Sequence, residues 1–338
     1  MPEVFLIDRD DTSVALGNTI EHRAGWFYVQ EVAAAHPPFL LKQHIVQESQ
    51  KILDMCAAPG GKTTQLADYF PESLIIANEV NRTRTPQLFD NLDRMGYDNI
   101  AVVSCDGRFF QNFPDFFDAV LLDAPCSGEG TAFRDKSIVD HWHEKNIDRI
   151  AKLQKQLMET ADTIVKPRGV LSYSTCTLNV MENEEVIEHE LQKGTLEEKM
   201  RKRFWPHIEH TGGFFASIFQ KKNSSTTEVS YPQLISRGQK PVIRPATKGE
   251  YELVERFVSK YLHTELQSGY LYCAKDTLYF SAVNLTNLSE YFYFVHVGRK
   301  IGTVKKNTFE PSHHLYWCLE ARDDIPSVSL TADMVYKK

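Results

Sequence analysis

The strongest constraint on the fold of this chain is an alternation of short apolar runs with amphipathic segments between residues 50 and 190. Apolar runs of this length are typical of buried strands, and apolar residues spaced three and four apart predict helices. The predicted strands are 52–55, 74–78, 100–104, 119–123 and 170–174, and the predicted helices are 63–69, 87–95 and 147–165. Strands that alternate with helices favour an α/β fold, a doubly wound parallel sheet covered on both faces.

The alternation weakens near residue 193, and a different region follows. A strand is predicted at 214–219, and the polar residues 221–230, rich in Ser and Thr, are typical of a linker. Beyond 245, a predicted helix at 251–261 precedes short runs rich in Tyr, Phe and Val, which indicate a small α+β or β-barrel module. The predicted organisation is a short N-terminal segment at 1–24, a main domain at 25–222, a linker at 223–244 and a smaller α+β domain at 245–338.

The composition excludes several classes of protein. With 42% apolar and 25% charged residues among 338, the chain is close to an average globular protein. It has no apolar run of about 18 residues and no signal-peptide pattern, so we expect a cytoplasmic monomer without a membrane partner. Six cysteines without a CxxC pair predict free thiols and no metal site. The net charge of −7 argues against strong nonspecific binding of nucleic acid but leaves room for a local basic groove.

The sharpest motif joins the first predicted strand to the first helix and reads Asp-Met-Cys-Ala-Ala-Pro-Gly-Gly-Lys-Thr-Thr from residue 54. Its glycines, Gly60 and Gly61, let the backbone approach a ligand closely, and the free N–H groups of the next helix favour a negative group. Acidic residues end the next strands: Glu79, placed to accept ribose hydroxyls, Asp106, placed to bond an adenine edge, and Asp123. Because ligands of such sheets bind beyond the carboxyl ends of the strands, these residues are expected to converge on one crevice.

Two other interpretations of this motif stay open. The glycines could simply turn the chain. Gly61-Lys62-Thr63, followed by the apolar strand that ends at Asp123, also resembles a P-loop with its magnesium-binding strand. A P-loop requires a glycine five residues before the Gly of the Lys pair, and Cys56 occupies that position, so the phosphate cradle would be incomplete.

Two cysteines follow strands of the same predicted sheet. Cys126 lies in Asp-Ala-Pro-Cys-Ser-Gly-Glu-Gly from residue 123, and Cys176 lies in Ser-Thr-Cys-Thr-Leu from residue 174. A lone cysteine is usually an inert, small apolar residue. A cysteine in a strand-end loop that faces a ligand is instead a candidate nucleophile, provided that the site lowers its pKa.

These motifs together resemble those of the Nop/Sun-type RNA (cytosine-5)-methyltransferases. The resemblance covers residues 25 to 221 and rests on Gly-Trp-Phe-Tyr-Val-Gln-Glu at 25–31, the glycine turn, Asn78-Glu79, Asn-Leu-Asp-Arg-Met-Gly at 91–96, both cysteine motifs and Thr-Gly-Gly-Phe-Phe at 211–215. It implies a Rossmann-like class I methyltransferase fold. It also implies transfer of a methyl group from S-adenosylmethionine to carbon 5 of cytosine in ribosomal or transfer RNA.

The resemblance implies a role for each motif. Cys176 would add its thiolate to carbon 6 of cytosine, Cys126 would assist product release, and Asp123 would stabilise the adduct. The residues implied to bind S-adenosylmethionine are Cys56, Ala57, Ala58, Pro59, Gly60, Gly61, Lys62, Glu79, Arg84, Asp106 and Asp123. DNA cytosine methyltransferases use the cysteine of a Pro-Cys motif as nucleophile, so the presence of both motifs favours the RNA class. The remaining alternative is a non-catalytic RNA-binding relative, against which the intact cysteines and Asp123 argue.

Two further segments are candidates for contact with RNA. Lys199, Arg201, Lys202 and Arg203, followed by Trp205 and His207, could hold phosphates and stack a base, or could be the solvated face of a helix. Residues 245–338 resemble the PUA-like tail of bacterial Sun-type ribosomal RNA enzymes through 298–302 and 305–313. Such a tail would bind structured RNA, although a domain that only packs on the core is the alternative. Family members usually carry an RNA-binding extension before the segment at 25–31, whereas 24 residues precede it here.

Overall fold

Two β-sheets flanked by helices make up the part of the chain that the structure, a computed structural model, describes. The described residues are 4–5, 7, 13–45, 50–132, 134, 137–140, 142–223, 231–232, 242–262 and 268–316. Their strands are β1 (Lys51–Asp54), β2 (Leu74–Asn78), β3 (Ile100–Val103), β4 (Phe117–Asp123), β5 (Val165–Thr175), β6 (Leu196–Phe204), β7 (Phe214–Lys221), β8 (Arg244–Pro245), β9 (Tyr270–Ala274), β10 (Thr277–Ser281), β11 (Phe294–Val297), β12 (Arg299–Lys305) and β13 (Thr308–Pro311). Their helices are α1 (Ile20–Arg23), α2 (His36–His44), α3 (Gly61–Tyr69), α4 (Thr85–Met95), α5 (Ser137–Asp140), α6 (Glu144–Ile164), α7 (Glu184–Leu191), α8 (Pro206–Glu209), α9 (Lys248–Tyr261) and α10 (His313–Tyr316), with 3-10 turns at Leu16–Asn18, Ala33–Ala35, Gly107–Asn112, Glu129–Thr131 and Leu288–Glu290. Most of the predicted linker at 223–244, and Cys318, lie outside the described residues.

The larger sheet has the strand order β11-β3-β2-β1-β4-β5-β7-β6 within the described ranges. Strands β1 to β5 are parallel, and β6, β7 and β11 pair antiparallel with their neighbours. The doubly wound α/β sheet predicted from the alternation is therefore confirmed. Strand order changes direction between β1 and β4, which opens a crevice at their carboxyl ends.

Each face of the larger sheet buries its own apolar core. Helices α2, α3 and α4 cover one face with side chains such as Leu40, Leu66 and Leu88, all fully buried. Helices α6 and α7 cover the other face, where Met158 and Val186 are fully buried. Because both faces are covered, the parallel strands are apolar over most of their buried lengths, which explains the apolar runs in the sequence.

Strand β5 begins five residues earlier than the sequence pattern predicts, directly after α6. Val165 continues the apolar spacing of the helix, but its backbone is extended (φ −73°, ψ 136°) and it begins β5. The other four predicted parallel strands lie within a few residues of β1 to β4.

The smaller sheet has five antiparallel strands in the order β13-β12-β10-β9-β8 and packs against α9. A capping box begins α9: the Thr247 side chain accepts from the Glu250 N–H, and the Glu250 carboxylate accepts from the Thr247 N–H. Val254, Val258 and Leu278 form its core. The predicted small α+β region is therefore present.

One strand from the C-terminal region belongs to the larger sheet. Strand β11 pairs antiparallel with β3, at the opposite edge from β6. Just before it, Phe292 is 2% exposed and stacks on Phe113 with ring centroids 4.7 Å apart. In β11, His296 donates to or accepts from Asp93 of α4 at 2.9 Å. The region predicted as a separate domain thus contributes to the core of the main one.

The basic stretch at 199–203 lies in an edge strand, and the alternative interpretation as a helix face is wrong. Strand β6 pairs with β7 from Leu196 to Phe204, and these two end residues are buried. The pairing with β7 overrides the local charge pattern, which by itself is compatible with a solvated helix.

Among the described residues, no helix is long and apolar enough to cross a lipid bilayer.

Candidate active site

The glycine turn between β1 and α3 forms the floor of a cavity of about 200 Å³ at the crevice. Gly60 has a positive φ of 107°, which favours glycine, and α3 begins at the next residue. A Cβ on Gly61 would lie 2.6 Å from the Tyr28 ring and 3.0 Å from Gln30 Oε1. Glycine is therefore needed here because the segment 25–31 folds directly over the turn and forms the opposite wall of the cavity.

Asp54, at the end of β1, contributes a buried carboxyl group to the cavity wall. Thr63 Oγ1 donates to Asp54 Oδ2 at 2.7 Å, while Asp54 Oδ1 has no hydrogen-bond partner among the described residues. Burial raises the pKa of Asp54 to about 7, and the nearby Asp123 adds to the rise, against the hydrogen bond from Thr63. An unsatisfied acceptor beside a cavity is a group ready to accept from a ligand.

Glu79 and Arg84 form hydrogen bonds with the backbone of the glycine turn. Glu79 Oε2 accepts from the Ala58 N–H at 3.2 Å and Glu79 Oε1 accepts from the Asn81 N–H at 2.7 Å. The Arg84 guanidinium donates to the Ala58 carbonyl. Neither side chain lines the cavity of the turn, but both lie against its backbone.

Asp106 lies apart from this cavity. Its carboxylate accepts from Arg108 at 2.6 Å and 3.0 Å, and the side chain is 48% exposed. The hydrogen bonds and charge of Arg108 lower the pKa of Asp106. A ligand that bonded Asp106 would have to share it with this guanidinium.

The residues around the cavity fit the methionine end of S-adenosylmethionine. The first turn of α3 presents unpaired N–H groups to a carboxylate, and the free Asp54 Oδ1 can accept from an ammonium group. The predicted residues that line the cavity together are Cys56, Ala57, Ala58, Pro59, Gly61, Lys62 and Asp123.

The two predicted catalytic cysteines, 50 residues apart in sequence, are in contact: the Cys126 and Cys176 sulfurs lie 3.2 Å apart. The hydrogen bond from the Cys126 thiol lowers the pKa of Cys176, and the Lys62 ammonium lowers it further, against burial and Asp123. The same hydrogen bond, burial and the Glu182 carboxylate raise the pKa of Cys126 well above the ordinary value. These neighbours polarise the pair: loss of a proton is favoured at Cys176 over Cys126.

Lys62 and Asp123 join the thiol pair to the cavity. Lys62 Nζ donates to Asp123 Oδ2 at 2.6 Å, and Ser174 Oγ donates to Asp123 Oδ1 at 2.7 Å. Asp123 ends β4 and Ser174 lies beside it in β5, so the register of two parallel strands fixes the carboxylate. Lys62 was predicted to bind the cofactor only, yet its ammonium group also lies within the catalytic cluster.

A buried carboxylate that the sequence analysis did not single out supports both cysteine loops. Glu182 is fully buried and accepts from the Ser127 N–H, from Gln154 and from Asn179 at 2.6 to 2.9 Å. It thereby ties the loop after Cys126 to the loop after Cys176. Its signal in the sequence is only an acidic residue six positions after Cys176, which gives no reason to expect burial.

Two glycines hold the cysteine loops at close range. The Gly130 N–H donates to the Cys176 carbonyl, and the Gly213 N–H donates to the Gly130 carbonyl, both at 2.9 Å. A Cβ on Gly130 would lie 1.9 Å from the Gly213 carbonyl oxygen. The motif Thr-Gly-Gly at 211–213 therefore serves backbone contact, and it places β7 beside the reactive thiols.

The basic stretch of β6 is largely paired with acidic side chains. Arg203 donates to both oxygens of Glu184, Arg201 pairs with Glu198 at 2.8 Å, and Lys199 pairs with Glu197 at 2.7 Å. Phosphates would have to compete with these carboxylates, so the structure gives this stretch no particular role beside the active site.

Comparisons with known proteins identify relatives of this chain. The sequence profile of the family described as 16S rRNA methyltransferase RsmB/F matches residues 43–220. The ribosomal RNA small subunit methyltransferase F of Psychromonas ingrahamii is 34% identical over 98% of this chain and 73% of its own length. The protein of the same name from Vibrio parahaemolyticus is 34% identical over 97% of this chain and 72% of its own length.

Solved structures share the same fold. NSun6 from Pyrococcus horikoshii, solved with the S-adenosylmethionine analogue SFG, is 29% identical with a TM-score of 0.57, over 62% of this chain and 57% of that one. A methyltransferase homologue from the same organism is 31% identical with a TM-score of 0.54, over 62% of this chain and 72% of that one. The resemblance drawn from the motifs is confirmed. The chain belongs to the RsmB/F family of rRNA methyltransferases, S-adenosylmethionine-dependent enzymes that form 5-methylcytosine in RNA.

Proposed function

We propose that this protein methylates carbon 5 of a cytosine in small-subunit ribosomal RNA, with Cys176 as covalent nucleophile. The observation that carries the assignment is the polarised thiol pair, 3.2 Å apart, with Lys62 beside Cys176 and Glu182 beside Cys126. The names of the relatives support the choice of RNA.

The chemistry requires that carbon 5 of cytosine become nucleophilic. The Cys176 thiolate adds to carbon 6 and forms a carbon–sulfur bond, and the electron pair of the carbon 5–carbon 6 double bond moves onto the ring toward nitrogen 3. A proton held between nitrogen 3 and Asp123, which Lys62 and Ser174 position, neutralises the charge that develops there. S-adenosylmethionine, when bound, supplies an electrophilic methyl group. After carbon 5 has gained the methyl group, a base takes its proton, the carbon 5–carbon 6 double bond forms again, and the carbon 6–sulfur bond breaks to release the Cys176 thiolate. Cys126 lies in contact with that sulfur, so it is placed to assist the release.

The cofactor roles of the turn are part of the same proposal. Asp54, the start of α3 and the backbone of 56–61 would hold the methionine end, and Glu79 would accept the ribose hydroxyls from its position behind Ala58. Arg84 would support the turn through the Ala58 carbonyl. Asp106 would bond the adenine edge only if Arg108 shares its carboxylate.

RNA capture is assigned to the region from 245 onward as an RNA-binding module of the PUA-like type. The hairpin between β12 and β13 carries Lys306 at its exposed turn, where its charge can reach phosphates, while the neighbouring Lys305 pairs with Glu310 at 2.7 Å. A target base must leave its stack to reach Cys176, so an unpaired or flipped cytosine is required. A ribosomal RNA substrate supports action in the cytoplasm.

The experiment uses small-subunit ribosomal RNA from a strain that lacks this gene, with labelled S-adenosylmethionine and bisulfite sequencing. The wild-type protein should produce 5-methylcytosine at a defined position. Cys176→Ala should abolish methylation, whereas Cys126→Ala should accumulate protein covalently joined to RNA. If Cys176→Ala keeps its activity and Cys126→Ala is merely inactive, the two roles are reversed. If cofactor binds but no RNA is methylated, the proposed substrate is wrong.

A further inference from the structure

A second cavity borders Cys126 and shares no lining residue with the cofactor crevice. Its volume is about 270 Å³, and its lining includes Cys126, Ser127, Trp142, Asn146 and Arg149. Neither Lys62 nor Asp123 lines it. A cytosine that reacts with Cys176 must contact Asp123, so this second cavity is placed for a different nucleotide of the same strand.

The chemistry of the wall suits a nucleotide. The Trp142 ring is 49% exposed, although large aromatic side chains usually bury most of their area. Arg149 makes no ion pair or side-chain hydrogen bond with any other described residue. Asn146 is exposed, and its side-chain amide makes no hydrogen bond within the described ranges. An exposed indole, an unpaired guanidinium and an amide are the groups that stack a base, hold a phosphate and read a base edge.

Trp142 is also linked to the loop of the nucleophile. Its Nε1–H donates to Glu129 Oε1 at 2.7 Å, and Glu129 Oε2 accepts from Thr177 Oγ1 at 2.9 Å and from the Leu178 N–H at 3.2 Å. Burial opposes the charge of Glu129, but these hydrogen bonds outweigh it and lower the pKa of the carboxyl. One carboxylate therefore connects the indole with the two residues that follow Cys176.

We propose that this second cavity binds the nucleotide next to the target cytosine, with its base stacked on Trp142, and that Trp142 positions the Cys176 loop through Glu129. The inference rests on the proposed function. It assigns Trp142 two separable tasks: stacking, which should govern KM for RNA, and donation to Glu129, which should govern kcat.

The test uses an RNA fragment that contains the target cytosine, intact or with one abasic nucleotide on either side of it. For the wild-type protein, one of the two abasic fragments should raise KM by about tenfold, the size expected for a lost base–aromatic stack. Trp142→Ala should raise KM for the intact fragment by about the same factor, and the abasic fragment should cause no further loss. Trp142→Phe, which keeps a ring but cannot donate, should keep KM near the wild-type value and lower kcat.

A matched control is Trp205→Ala, which removes another exposed indole, located at the end of β6. For this variant the abasic penalty should keep its wild-type size. Equal abasic penalties in the wild type and Trp142→Ala, or no penalty on either side of the cytosine, would overturn the inference while leaving the proposed function intact. Failure of the wild-type protein to methylate the intact fragment would overturn both. Thermal unfolding and cofactor binding of each variant report whether its fold is retained.

Discussion

At the scale of single residues, the reactivity of this site depends on an asymmetry between two chemically identical side chains. Cys126 and Cys176 share one hydrogen bond, yet Lys62 acts on Cys176 and Glu182 acts on Cys126. Two thiols in contact titrate as a pair, so neighbouring charges decide which sulfur holds the negative charge. This is a physical reason for the nucleophile assignment that is independent of the motif.

Removal of the Cys126 thiol should raise the pKa of Cys176. In Cys126→Ala, the hydrogen bond that is the main cause of the lowered pKa is lost, so the thiolate forms only at higher pH. Peptide mass spectrometry gives the rate at which iodoacetamide alkylates Cys176 at each pH from about 6 to about 10, a range that spans the ordinary thiol pKa. The midpoint of this pH profile should be higher in Cys126→Ala than in the wild type. Cys105→Ala, which changes a cysteine outside the pair, is the control and should leave the midpoint in place. A midpoint that stays or falls in Cys126→Ala contradicts the polarised pair.

At the scale of secondary-structure elements, the site depends on how closely separate loops approach one another. The loop after β4, the loop after β5 and the start of β7 meet through the backbones of Gly130, Cys176 and Gly213. No side chain fits between them. The glycines are therefore needed for contact between elements, since the backbone of Gly130 is not in itself strained.

Gly130→Ala should separate these loops. The added Cβ would lie 1.9 Å from the Gly213 carbonyl oxygen, so one backbone must move away from the other. A displacement on the order of 1 Å at a catalytic loop costs about 100-fold in rate, and we expect kcat for RNA methylation to fall by that order. Gly249→Ala is the matched control, since its Cβ would meet no atom within 4 Å. Wild-type kcat in Gly130→Ala would show that the loops tolerate the separation.

At the scale of the whole molecule, the C-terminal region stabilises the catalytic sheet directly. Strand β11 completes the edge beside β3, and Phe292 fills a cluster with Phe110, Phe113 and Phe116 under that sheet. The small sheet has a separate core around Leu278. The C-terminal region therefore supplies strand β11 to the large sheet and Phe292 to the aromatic cluster beneath it.

Phe292→Ala should destabilise the catalytic sheet, whereas Phe309→Ala should destabilise the small sheet. Phe292 is 2% exposed in the core of the large sheet and Phe309 is 7% exposed in that of the small one. Each truncation should cost about 3–5 kcal/mol. Hydrogen exchange of the β3 amides should accelerate strongly in Phe292→Ala and little in Phe309→Ala. Equal acceleration in both variants would mean that the two cores unfold together.

Much of the fold could be predicted from local patterns, and the same patterns supplied the candidate residues of the site. The spacing of apolar residues predicts buried strands and amphipathic helices, as in β2 and α4. The glycine turn and both cysteine motifs are short runs of consecutive residues, so each can be recognised from the sequence alone. These patterns determined the α/β class, the cofactor turn and the pair of candidate nucleophiles.

Only the tertiary structure decided which of these residues touch. The Cys126 and Cys176 sulfurs meet across 50 residues of chain, and Lys62 reaches Asp123 across 61. In β11, Phe294 pairs with Val103 of β3, which lies 191 residues earlier in the chain, and β6 is a strand despite its charge. Contacts of this kind depend on strand order and register, which long-range packing selects, so no local run of sequence records them.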